Sequence, residues 1–111
     1  VSNYHVGHKA EKDAAEYLIS HGYSIRGMNW KTRYCEIDIV AEKDRTMYFV
    51  EVKYRKNNLQ GSGFDYITSK KLQQMSFAAE MWVQQNRWDG PYQLSGLSID
   101  GESFTFVDCI D

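Results

Sequence analysis

Apolar and polar residues alternate with two distinct periods along this chain. Over residues 8–21, Ala10, Ala14, Ala15, Tyr17, Leu18 and His21 recur at helical spacing. Gly22 follows where a helix C-terminal glycine belongs. The period then shortens to two. Residues 23–30 (Tyr23, Ile25, Met28, Trp30) predict a first strand, weakened by Gly27. Residues 35–42 predict a second strand and 46–54 a third, rich in β-branched and aromatic residues, with Lys43-Asp44-Arg45 short enough for a hairpin. A loop over 56–66 contains Asn57-Asn58 and Gly61-Ser62-Gly63. Thr68 then offers an N-cap, and Leu72, Met75, Ala79, Trp82 and Val83 mark a long helix to about Arg87. After Asp89-Gly90-Pro91 come strands at 92–99 and 103–107, with Asp100-Gly101 as the hairpin signal. The predicted order is αβββαββ, an α/β chain with one mixed sheet flanked by helices.

At 111 residues the chain has the length of a single domain, 1–111. Its 42% hydrophobic and 25% charged residues exclude a disordered or fibrous chain. Cys35 and Cys109 lack metal-site spacing, and a reducing cytoplasm is the simpler expectation. No apolar run approaches a membrane span, so no membrane partner is expected. The N-terminus does not resemble a signal peptide. The first residue is Val1 rather than Met, which suits a trimmed chain or a module of a longer polypeptide.

The second and third strands carry the unusual feature. Strict alternation places Glu36 and Asp38 on one face and Ile37 and Ile39 on the other; Glu51 and Lys53 likewise share a face. A hairpin brings Asp38 near Glu51 and Lys53. Both acids interrupt strongly apolar strands of the kind covered on both faces. Buried charge is expensive unless paired or metal-bound. Oxygen donors of this type suit a hard divalent ion, and a nearby lysine suits a water or a phosphate. A cross-strand salt bridge on a solvated face is the plainer alternative. For Glu36, an ion pair with Arg26 or Lys31 is an equal alternative to a supporting role.

The net charge of −2 hides an asymmetry: residues 1–88 balance to +3, and residues 89–111 hold five acids and no Lys or Arg. From Arg26 to Lys71 there are ten Lys and Arg against six acids. Lys31, Arg33, Arg55, Lys56, Lys70 and Lys71 flank the candidate site, interleaved with Trp30, Tyr34 and Tyr54. That composition suits phosphate contacts with stacking. Lys71 stands out, because Thr68 begins a helix whose N-terminal amides favour anions.

These residues together resemble a family. Glu36-Ile37-Asp38-Ile39-Val40-Ala41 followed by Phe49-Val50-Glu51-Val52-Lys53-Tyr54-Arg55 is similar to the YraN (UPF0102) family, of the PD-(D/E)XK nuclease superfamily that also holds archaeal Holliday-junction resolvases. Gly7, Glu11 and Ala14 resemble the family's G-x-x-G-E-x-x-A opening, and Thr68-Ser69-Lys70-Lys71 its T-x-x-K. The likeness spans about residues 7–107. Two positions depart from it: Cys35 and Ala10 stand where the family has glycine, and neither removes a carboxylate.

The resemblance implies a restriction-endonuclease-like core. It implies Asp38, Glu51 and the Val52 carbonyl as ligands of Mg²⁺ or Mn²⁺, Lys53 beside the attacking water or scissile phosphate, and Glu11 reaching in from helix one. The implied reaction is in-line attack of metal-activated water on a DNA phosphodiester, at branched or nicked structures. Two alternatives stay open. One is a protein that binds DNA structures without cutting. The other is a nuclease toxin domain of a larger effector, held by an immunity protein. Related resolvases act as homodimers, and Trp82, Trp88 or the final hairpin are interface candidates.

Overall fold

A computed structural model describes the backbone of residues 3–33, 35–55 and 67–111, and side chains in those ranges from Lys9 onward. The elements are α1 (Asn3–Ser20), β1 (Ser24–Lys31), β2 (Glu36–Lys43), β3 (Thr46–Arg55), α2 (Ser69–Gln85), β4 (Tyr92–Asp100) and β5 (Ser103–Val107). The expected order αβββαββ is therefore present. The expected loop 56–66 lies outside the described residues.

Each boundary has a local cause. α1 ends in a Schellman arrangement: the Tyr23 N–H donates to the Leu18 carbonyl (2.9 Å) and the Gly22 N–H to that of Ile19 (3.1 Å). Gly22 turns the chain there with φ +93°. The β2–β3 turn takes Asp44 and Arg45 at φ +51° and +64°, the double left-handed geometry of a two-residue hairpin. At the second hairpin Asp100 pairs with Ser103, so Gly101-Glu102 form the turn, one residue later than the Asp100-Gly101 signal. Thr68 caps α2, its Oγ1 accepting from the Lys71 N–H at 3.1 Å.

The five strands form one sheet in the order β1-β2-β3-β4-β5. β3 and β4 are parallel neighbours, and the other pairs are antiparallel. A parallel pair needs a crossover, and α2 lies within it. The helices cover opposite faces. Ala10, Ala14 and Leu18 of α1 pack with Ile39, Ala41, Val50, Leu97 and Ile99. Met75, Ala78, Ala79 and Trp82 of α2 pack with Ile37, Val40, Met47, Phe49 and Leu94. Trp82 meets Phe49 edge to face at 5.7 Å. It is thus a core residue with little surface to offer a partner, which removes it from the interface candidates. Trp88 is only partly buried against the same cluster. Among the described residues, no helix is long and apolar enough to cross a membrane.

A β-carbon at position 22 would sit 3.4 Å from the Lys43 side chain, on a backbone that L-residues resist. Gly22→Ala is expected to lower unfolding free energy by about 1–2 kcal/mol. Urea denaturation followed by tryptophan fluorescence checks this; an unchanged midpoint would show that the turn does not depend on glycine.

Candidate active site

The site forms where two neighbouring strands part. β2 and β3 pair regularly from Lys43↔Thr46 to Ile39↔Val50. Past that point β2 keeps its pairing with β1, through Trp30↔Ile37 and Lys31↔Glu36. β3 keeps its pairing with β4 as far as Arg55↔Asp100. A side chain bridges the fork: the Val52 N–H donates to Asp38 Oδ2 at 2.8 Å. Asp38 thus provides the acceptor that a β2 carbonyl supplies further along the ladder.

The same irregularity corrects the expected alternation. Ile37 packs in the α2 cluster and Ile39 in the α1 cluster, so they do not share a face. Across from Asp38, Asn29 of β1 takes φ +53° between the pairs Met28↔Ile39 and Trp30↔Ile37. A left-handed residue inside a strand pair turns the local pleat. The register shift in the β1–β2 pair lies between Ile25 and Gly27, at the glycine expected to weaken β1, and the pairing is unshifted across Asn29.

Carboxylates converge at the fork. Burial raises the Asp38 pKa to about 8, the Glu51 charge adds to it, and Glu11 and Glu36 push the same way; the Val52 N–H opposes them. Burial also raises the Glu51 pKa, against the pull of the Lys71 ammonium. Lys71 Nζ stands 3.3 Å from Glu51 Oε2. Glu11 comes from α1, and its Oε1 is buried without a hydrogen-bond partner. Cys35 lines the same place: its Sγ donates to the Gln74 carbonyl at 3.4 Å, and burial raises its thiol pKa. Among the described residues, no three His, Cys, Asp or Glu side chains form a ready cation cage.

The basic residues differ in their placement, and Lys71 is half-buried against Glu51. Lys31, Arg33, Lys53 and Lys70 are exposed, as phosphate contacts require. Arg55 departs from expectation: it is 8% exposed, with Nε 3.6 Å from Asp100 Oδ1. The parallel register sets Arg55 opposite Asp100, so a buried ion pair holds it inside rather than on a nucleic-acid surface. Lys56 and Tyr34 lie outside the described residues. For Glu36, Arg26 is engaged elsewhere, in an ion pair with Glu42. Lys31 faces Glu36 across the β1–β2 pair.

Sequence reasoning treated Lys71 only as a phosphate contact and missed its carboxylate partner. The signal was topological. A helix that links parallel neighbours starts near the C-terminal end of the first strand. The first turn of α2 therefore lies beside the end of β3 that carries Glu51.

The Asp38 shift has a direct consequence for stability. Without divalent ions the folded protein holds a proton on Asp38 up to about pH 8, whereas the unfolded chain releases it near the ordinary value of 3.8. The folded state binds more protons across that window, so stability should fall as pH rises through it. Asp38→Asn keeps an acceptor for Val52 and removes the titration. Thermal melts in EDTA should show the wild type losing midpoint between pH 5 and 8 and the variant losing less; parallel curves would refute the assignment.

Known proteins resemble the chain over most of its length. The family described as "Uncharacterised protein family UPF0102" matches residues 10–100, which contain Glu11, Asp38, Glu51, Lys53 and Lys71. A UPF0102 protein of a Nitratiruptor species is 32% identical over 108 residues, covering 97% of this chain and 94% of the relative. A UPF0102 protein of Phocaeicola vulgatus is 36% identical, covering 91% and 84%. One from Tropheryma whipplei (strain Twist) is 37% identical, covering 96% and 87%. With these matches on top of the αβββαββ order, the chain belongs to the UPF0102 family.

Proposed function

We propose that this protein is a metal-dependent endonuclease that hydrolyses DNA phosphodiester bonds, at branched or nicked structures. The observation that carries the reading is the burial of Asp38 beside Glu51 where β2 and β3 part. Two acids that repel each other in a buried place are costly to keep for structure alone. A hard cation between them removes the repulsion. The αβββαβ part of the fold also agrees with the core order of the PD-(D/E)XK superfamily.

Two carboxylates and a main-chain carbonyl are oxygen donors of the kind a hard divalent ion takes. Asp38 and Glu51 would hold Mg²⁺ or Mn²⁺, with the Val52 carbonyl as a third donor. Glu11, with its unpartnered Oε1, would reach such an ion through water. Such an ion, when bound, acidifies water and offsets charge on the phosphate. Lys53, exposed and two residues beyond Glu51 on β3, orients the attacking water or the scissile phosphate. Lys31, Arg33 and Lys70 hold the flanking phosphates. Such contacts position the strand without reading its sequence. In this reading, any preference lies in the shape of the DNA.

Cleavage of linear, nicked, flapped and four-way DNA in Mg²⁺ or Mn²⁺ tests the proposal. Groups that merely support a metal ligand are worth about 10–100-fold. Glu51→Gln and Asp38→Asn, which remove ligands, should each lower the rate more than about 100-fold. Undiminished cleavage by both variants would remove the site. Salt-sensitive DNA binding with no cleavage in any divalent ion would favour the non-cutting alternative instead.

A further inference from the structure

Lys71 occupies an unusual position for a helix lysine. Its backbone N–H is the one that Thr68 caps, at 3.1 Å, so the residue is fixed by the first turn of α2. Its ammonium extends to Glu51 Oε2, at 3.3 Å. The side chain of Glu51 is 14% exposed and that of Lys71 is 27% exposed. The carboxylate is therefore enclosed, while the ammonium retains a route to solvent on a flexible four-carbon stem.

A buried carboxylate needs a positive partner. Lys71 supplies one from the chain itself. A divalent ion on Glu51 would bring a second positive charge next to that ammonium, and the two repel. They compete for one carboxylate. Lys70, its neighbour, is exposed on the same first turn, where backbone amides also favour anions.

We propose that Lys71 is an exchangeable counter-ion of Glu51. It neutralises the carboxylate when no divalent ion is bound and gives it up when one binds. The freed ammonium then stands beside Lys70, available to a phosphate of the nucleic acid. This inference rests on the metal site of the proposed nuclease. It makes Lys71 a positioning residue and separates its role from that of Lys53.

The test is the sign of a change in metal affinity. Mn²⁺ binding to the intact chain is measured by the electron paramagnetic resonance signal of free Mn²⁺, alongside DNA cleavage. Exchange predicts that Lys71→Gln binds Mn²⁺ about fivefold more tightly than wild type, the size expected for removing one partly exposed ionic competitor. Lys71→Arg keeps the charge and should stay near wild type; Glu51→Gln should lose the binding. Equal or weaker Mn²⁺ binding by Lys71→Gln would overturn the exchange. No Mn²⁺ binding by the wild type would overturn it together with the metal site beneath it. The predicted Mn²⁺ pattern without DNA cleavage would support the exchange and reject the nuclease reading alone.

Discussion

Two half-buried carboxylates stand where β2 and β3 part, and much of the surrounding structure accommodates that fact. Apolar strands draw Asp38 and Glu51 away from solvent, where burial raises the cost of ionising both and the Glu51 charge adds to that of Asp38. The Val52 N–H and the Lys71 ammonium offset part of that cost. A fold selected only for stability would replace such acids with apolar side chains of similar size. The two acids stand where the β2–β3 pairing ends, past Ile39↔Val50. Beyond that point β1 continues to pair with β2, and β4 with β3.

The two helices divide their work around this site. α1 packs on one face through small residues, Ala10 and Ala14, and so passes close to the sheet. That proximity brings the Glu11 charge to bear on Asp38 from the α1 side. α2 packs on the other face through Met75, Ala79 and Trp82, and its capped start delivers Lys71 to Glu51. The site is thus supported from both faces of the sheet.

Most of the architecture was legible in the sequence. Gly22, Thr68 and the Asp44-Arg45 turn act as their chemistry predicts, because caps and turns are local. That the Glu51 charge acts on Asp38 agrees with the expected hairpin, but the period of two that accompanied it breaks at Asp38. Three features were not legible, and each depends on contacts remote in sequence. Ile37 and Ile39 part faces because β2 leaves one partner while keeping another. Arg55 is drawn inside by Asp100, 45 positions away, through a parallel register that no local pattern reveals. Lys71 meets Glu51 only because the crossover returns α2 over the sheet. The residue types at the site were readable, but their partners depended on topology.

The acceptor role of Asp38 has a further implication. One oxygen of Asp38 satisfies a main-chain donor of the adjoining strand. The residue proposed as a metal ligand is thus also part of the hydrogen bonding of the sheet. A replacement that keeps an acceptor of the same length can preserve strand spacing, whereas a shorter or apolar one leaves the Val52 amide without this acceptor. Neutral drift at position 38 is therefore restricted by backbone hydrogen bonding, independently of any demand for the negative charge.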